Sequence, residues 1–253
     1  MQFKVGMYLS FLSIILFSCD GKNQFHEKHS VRVPIEKITL YQPVFQYRSN
    51  VADSLFQQKI GNGLLQLKSF IQKYESHSED FSVEKMELLW ESEKSKIDYN
   101  GLETVQAWIE ANGFLLEITG KPVYAEALQK ISSAENMGLT ASEFEIAEQE
   151  LAPFIFTKNV DHIFVNLFVN SSVEYVHSLD GKVKITQKSK GSDGFLLKFN
   201  MEQKRYIEVN ILIPTWAVNA TVVEKNVKYV ATPGEYCLIA RKWEDGDMVE
   251  IKY

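Results

Sequence analysis

Ile207-Glu208-Val209-Asn210-Ile211-Leu212-Ile213 places an apolar side chain at every odd position. That two-residue period predicts a strand with one face against a core. Toward the C-terminus, 221–224, 235–240 and 248–252 read as further strands, separated by turn signals at Pro233-Gly234 and Asp245-Gly246-Asp247. Toward the N-terminus, Gly194–Phe199 follows the turn Ser192-Asp193-Gly194. Val183, Ile185 and Gln187 alternate behind Asp180-Gly181, and 173–177 and 162–169 are short β-rich runs. Eight or so short, evenly spaced strands without long helices between them predict an antiparallel β-sandwich over 157–253.

Upstream of residue 157 the period lengthens. Val105, Trp108, Ile109, Asn112, Leu115, Leu116 and Thr119 follow the three-four rhythm of a helix over 102–118. Gly120 stops it, and Pro122 opens the next helix, to about residue 131. Thr140 is a cap for a helix over 141–151, which Pro153 ends. Val83, Met86, Leu89 and Trp90 mark a helix over 81–93, whose acidic residues Glu84, Glu87, Glu91 and Glu93 form a solvated face. Leu55, Ile60, Leu64, Leu67 and Ile71 mark one more, interrupted by Gly61 and Gly63. Val33–Tyr41 is strand-like. The body is therefore α+β: a mainly helical segment over 33–156, then the sandwich.

The first residues carry a different signal. Lys4 is the only charged side chain before an apolar run that ends Leu16-Phe17-Ser18-Cys19. This reads as a secretory leader over 1–18, too short to span a bilayer, with Cys19 as the expected acceptor of a lipid anchor. Residues 19–32 are polar and aperiodic, a flexible tether. His26 and His29 lie in it without a scaffold that would make them a metal site. The expected location is the bacterial envelope, outside the cytoplasm, with the membrane as partner through lipidated Cys19.

Composition narrows the function. The 253-residue chain has 45% hydrophobic and 24% charged residues and a net charge of −6, which suits a globular body. The lack of a basic block argues against nucleic acid. The only cysteines are Cys19 and Cys237, so neither a disulfide framework nor a multi-cysteine zinc site is expected. Cys237, in an apolar strand, reads as a buried thiol. There is no Gly-x-Ser-x-Gly elbow or phosphate loop.

Four elements near the end carry a resemblance: Val209-Asn-Ile-Leu-Ile-Pro-Thr-Trp-Ala217, Asn219-Ala-Thr-Val222, Pro233-Gly-Glu-Tyr236 and Arg241-Lys-Trp-Glu-Asp-Gly-Asp-Met-Val-Glu250. Their order resembles the C-terminal sandwich of the β-L-arabinofuranosidases, glycoside hydrolase family 127. The segments 154–168 and 115–128 and, more weakly, 33–40 resemble other parts of the same family. The resemblance implies an (α/α)6 barrel of about a dozen helices; five are expected here, so the helical segment reads as the remnant of such a barrel and the chain as a shortened relative.

It also implies a cysteine nucleophile at a zinc held by further cysteines and a glutamate. At the matching Glu-x-Cys segment stand Glu103 and Val105, so the glutamate is kept and the cysteine is not. Near Leu139-Thr140, where the resemblance places adjacent cysteines, none occurs. A thiolate mechanism lacks its sulfurs, so no catalytic residue, metal ligand or cofactor is expected. Glu103, Glu110 and Glu117, spaced by seven, are solvent-facing or helix-dipole carboxylates before they are a glycosidase pair. Trp216 and Trp243 read first as buried packing at the sandwich edge, and second as candidate glycan contacts. The expected function is a non-catalytic lipoprotein that binds a glycan or assists glycan degradation. The alternatives are a hydrolase using an unrecognised carboxylate site and an interaction protein that meets an envelope partner or a second copy.

Overall fold

The alternation around Val209 forms strand β8 (Arg205–Leu212), with Ile207, Val209 and Ile211 fully buried. β8 lies in a five-stranded sheet in the order β1 (Val33–Pro34), β3 (Phe156–Asn159), β4 (His162–Val165), β8, β11 (Tyr236–Trp243). The facing sheet has seven strands: β10 (Val227–Tyr229), β9 (Thr221–Glu224), β12 (Met248–Lys252), β7 (Phe195–Met201), β6 (Lys182–Ser189), β5 (Ser171–Val176) and β2 (Lys37–Leu40). The computed structural model describes residues 32–35, 37–41, 60–132, 137–191 and 194–253.

Side chains from the two sheets meet between them. Trp243 of β11 stacks on Phe199 of β7 with centroids 4.0 Å apart, and Gln187 of β6 donates a hydrogen bond from Nε2 to the carbonyl of Leu167 at 2.8 Å. The expected sandwich is present with two corrections. First, β4 and β8 run parallel; the other pairings are antiparallel. Second, the sandwich does not begin at residue 157. β3 starts at Phe156, and the strand-like run near residue 33 divides: β1 pairs with β3 in one sheet and β2 with β5 in the other. Ile35, buried between them, marks where the chain crosses sheets. The segment 33–156 therefore begins with sandwich strands.

Five helices occur among the described residues: α1 (Asn62–Glu75), α2 (Val83–Glu93), α3 (Leu102–Thr119), α4 (Pro122–Ser132) and α5 (Ala141–Leu151). α3 is the central one, contacting α1, α4 and α5. Gly120 ends it in the left-handed conformation, φ 67°, where a side chain would be strained. Thr140 forms a reciprocal capping box with Glu143 at the start of α5. In the middle of α3, Trp90 Nε1 donates to Asn112 Oδ1 (2.8 Å) and Asn112 Nδ2 donates to the Trp108 carbonyl (2.7 Å). A buried amide is thereby satisfied on both ends, and the indoles of Trp90 and Trp108 stack.

Helices and sandwich share one hydrophobic core. Gly113 faces the Phe154 ring so closely that a Cβ would lie 2.1 Å from it, so a side chain there would displace that ring. Gln129 and Glu126 of α4 accept hydrogen bonds from the amides of Phe168 (2.8 Å) and Thr215 (2.6 Å). The described residues fall in one compact unit, and no helix among them is long and apolar enough to cross a membrane.

Candidate functional site

The family-pattern positions at the start of α3 do not form a reaction centre. Val105 is completely buried in the core, while Glu103 is exposed. Cys237 lies on β11, buried between the sheets, and burial pushes its thiol up to about 11. It is protonated at neutral pH and unsuited to attack or ligation. Among the described residues no three His, Cys, Asp or Glu side chains converge as metal ligands do. The residues present do not fit the thiolate-bound zinc that the resemblance implies. Cys19 and the histidines at 26 and 29 lie outside the described residues.

The three spaced glutamates differ in surroundings. Glu110 pairs with Lys68 across α1 and α3 at 3.4 Å. Glu117 is half-buried, and burial raises its carboxyl to about 7. Its backbone carbonyl accepts the amide of Arg32 at 3.1 Å. An ordinary carboxyl near 4.5 ionises in the unfolded chain while the folded protein still holds the proton. Stability therefore falls as pH rises from about 4.5 to about 7 and is level above that. Glu117→Gln is expected to flatten this slope, with a higher midpoint than wild type at pH 8 and little difference at pH 4.5 to 5. Thermal melts across pH 4.5–8 check it; an unchanged slope would show that Glu117 is as solvated as a surface carboxylate.

Asp161, His177 and Ser178 have the residue types of a hydrolytic triad and meet at one end of the sandwich. Their wiring is different. The amide of Leu179 donates to His177 Nδ1 (3.0 Å), so the ring proton sits on Nε2 and points to the Tyr206 carbonyl (3.0 Å). Ser178 donates its hydroxyl to Asp161 and not to the ring. No imidazole stands over the serine, so the triad order is not present; the group ties the loop after β5 to the starts of β4 and β8.

The two candidate tryptophans separate. Trp243 is 0% exposed, and its Nε1 donates to the Ile207 carbonyl at 3.0 Å. Of its two readings, packing and not glycan contact is the one the structure gives, because its odd-numbered position shares the inward face of β11 with Cys237 and Ile239. Trp216 is 65% exposed. It sits in a turn closed by the Ala217 amide donating to the Pro214 carbonyl (2.9 Å), and the preceding Thr215 is held by Glu126. The Trp216 ring meets Tyr253 edge-on at 4.9 Å; Tyr253 meets Phe168 at 5.5 Å, and Phe168 meets Phe195 at 5.2 Å. The Tyr253 hydroxyl is buried without a hydrogen-bond partner among the described residues, and burial raises its pKa. The result is an aromatic ledge ending in an exposed indole on a fixed turn. Its four rings come from separate segments, so no spacing in the sequence joins them; only Trp216 could be singled out there.

Residues 162–253 match the family described as Beta-L-arabinofuranosidase, GH127 middle domain. Over this stretch the sandwich is similar to the GH127 middle domain. The matched stretch runs from the first residue of β4 to Tyr253 and contains Trp216, Cys237 and Trp243. Among solved structures, a GH127 β-L-arabinofuranosidase from Geobacillus stearothermophilus T6 is 19% identical with a TM-score of 0.47, over 59% of this chain and 30% of that one. Another GH127 β-arabinofuranosidase is 15% identical with a TM-score of 0.49, over 60% and 31%. A further structure described as a glycoside hydrolase is 16% identical with a TM-score of 0.49, over 60% and 32%. The chain thus spans about a third of the length of these structures. No curated protein matches it.

Proposed function

We propose that this chain is a non-catalytic, envelope-anchored lipoprotein that binds glycan at the Trp216 ledge. The observation that carries the binding reading is Trp216 itself, an indole exposed on a turn fixed by its own backbone bond and by Glu126. A flat apolar face held rigid in water suits the apolar face of a sugar ring, since little freedom is lost on contact. The non-catalytic reading is supported by the cysteine inventory and by the burial of Val105 in the core. Anchoring at Cys19 is supported by the leader pattern. The tether would join a firm point, because the Arg32 guanidinium lies 3.5 Å from the Phe164 ring centroid and 4.8 Å from that of Tyr236.

The test uses the full chain in detergent against neutral arabinan. Trp216→Ala is expected to weaken binding about tenfold, the loss of one stacking contact, with an unchanged circular dichroism spectrum. Cys19→Ala is expected to move the chain out of the membrane fraction. Release of arabinose from arabinofuranosides by wild type, with or without zinc, would overturn the non-catalytic reading. Arabinan binding that ignores Trp216 would remove the ledge from it.

A further inference from the structure

The outer face of the seven-stranded sheet carries a second surface with its own chemistry. Along β6 the inward side chains are Val183, Ile185 and Gln187, so Lys182, Lys184, Thr186 and Lys188 face outward. The register of β7 places Asn200, Lys198 and Leu196 directly beside Lys184, Thr186 and Lys188. These six side chains and Tyr41 line a groove of about 710 Å3. Tyr41 donates its hydroxyl to Ser172 Oγ at 3.0 Å, which fixes its half-exposed ring beside the groove.

The charge on this face runs against that of the whole chain, which is −6. Glu174 lies between Lys37 and Lys184, and Glu250 between Lys190 and Lys252. Each carboxylate is thus outnumbered by ammonium groups. Asp245 at the rim is already engaged by Asn200 Nδ2 (3.0 Å) and the Met201 amide (3.1 Å). Lys188 and Lys198 make no ion pair among the described residues. Lys184 and Lys188 each lie two residues from Thr186, about 7 Å along the strand, and Lys198 is opposite Thr186 at cross-strand distance. Three ammonium groups therefore surround one hydroxyl. Lys184 shares the Glu174 carboxylate with Lys37, so the charge left without a close carboxylate among the described residues is that of Lys188 and Lys198, and like charges so near each other favour an added anion.

We infer that this groove binds an acidic polysaccharide, its uronate carboxylates held by Lys184, Lys188 and Lys198 and its hydroxyls by Thr186 and Asn200. The site is distinct from the Trp216 ledge and does not depend on it. A linear polymer can lie along β6, where the lysines recur at two-residue spacing. A bilayer would call for protruding apolar side chains among the lysines, and the lining offers Tyr41 as its only exposed large apolar residue among the described residues.

The probe is polygalacturonate, with neutral galactan as its uncharged counterpart, titrated against the full chain in detergent. Wild type is expected to bind polygalacturonate, more weakly as salt is raised, and not to bind galactan at this face. Lys184→Gln, Lys188→Gln and Lys198→Gln together are expected to reduce the affinity at least about tenfold. Thr186→Glu, which places a negative charge amid the lysines and leaves them in place, is expected to do the same. Trp216→Ala is expected to leave it within about twofold, so that failure of the ledge and failure of the groove can be told apart. Circular dichroism and the melting midpoint confirm that each variant is folded. No binding of polygalacturonate, equal binding by the triple variant, or equal lysine-dependent binding of galactan would overturn the proposal. So would lysine-dependent binding confined to phosphatidylcholine vesicles containing phosphatidylglycerol, which would assign the face to lipid headgroups.

Discussion

Trp243→Ala is expected to destabilise the protein by about 3–5 kcal/mol, read as a fall in the urea midpoint with little change in slope. The ring is fully buried and lies 4.0 Å from Phe199 at an interplanar angle of 22°. It is thus a direct bridge between the two sheets. Truncation removes that contact, leaves a cavity and strips the Ile207 carbonyl of its 3.0 Å side-chain hydrogen bond. Trp243→Phe keeps most of the volume and loses the indole N–H, so its cost is expected to be smaller, about 1–2 kcal/mol. Glycan binding should survive in the phenylalanine variant, because the ring has no solvent-facing edge. A loss below about 1 kcal/mol for the alanine variant would mean that the sheets close over the gap without needing the indole.

The contrast between Trp243 and Trp216 also shows what could be read in advance. Cys237, Ile239 and Trp243 share odd positions on β11, so strand parity alone predicts an inward Trp243 once the strand is seen to continue past Ala240. Trp216 lies beyond the end of β8, in a turn where parity has no meaning, and its exposure follows from turn geometry and a long-range bond from Glu126. The helix around Trp108 was legible nearly to the residue because rhythm, Gly120 and Pro122 agree. The capping box at Thr140 was legible in part, through the threonine. The parallel pairing of β4 with β8 and the split of the first strand at Ile35 were not, since both are set by which edges the tertiary fold leaves open. Alternation in β6 was visible through Val183, Ile185 and Gln187. The lysine groove on its other face needed the register with β7. The resemblance to GH127 rested on local motifs, and the match over 162–253 falls where those motifs are densest.

One of those motifs, Arg241-Lys-Trp-Glu-Asp-Gly-Asp247, is a charge lock, and breaking it should have an effect as large as losing Trp243. Arg241 contacts Glu224 through one guanidinium nitrogen and Asp247 Oδ2 through another at 3.2 Å. Asp247 Oδ1 also meets Lys225 at 2.9 Å, and Oδ2 accepts the Glu244 amide at 3.0 Å. Glu224 and Asp247 are both buried, and the cluster ties β9 to the turn between β11 and β12. Arg241→Met keeps much of the stem's packing, 5.2 Å from the Trp243 ring for the guanidinium carbon it removes, but leaves two buried carboxylates facing Lys225 alone. A cost of about 3–5 kcal/mol is expected. Adding Glu224→Gln to that variant should recover part of it, since one orphaned charge is then gone. The pH dependence has a definite sign. Burial pulls the Asp247 carboxyl upward, but the Lys225 bond, the Glu244 amide and Arg241 together hold it below the ordinary carboxylate value. Its contribution is therefore complete above that ordinary value and is lost as pH falls through the lowered one. With Arg241 gone, acid unfolding should begin at higher pH than in wild type. Urea titrations of wild type, Arg241→Met and the double variant at pH 7 and at pH 4 test both statements. If Glu224→Gln makes Arg241→Met worse, Glu224 is stabilised by something other than the arginine, and the lock is wrongly drawn.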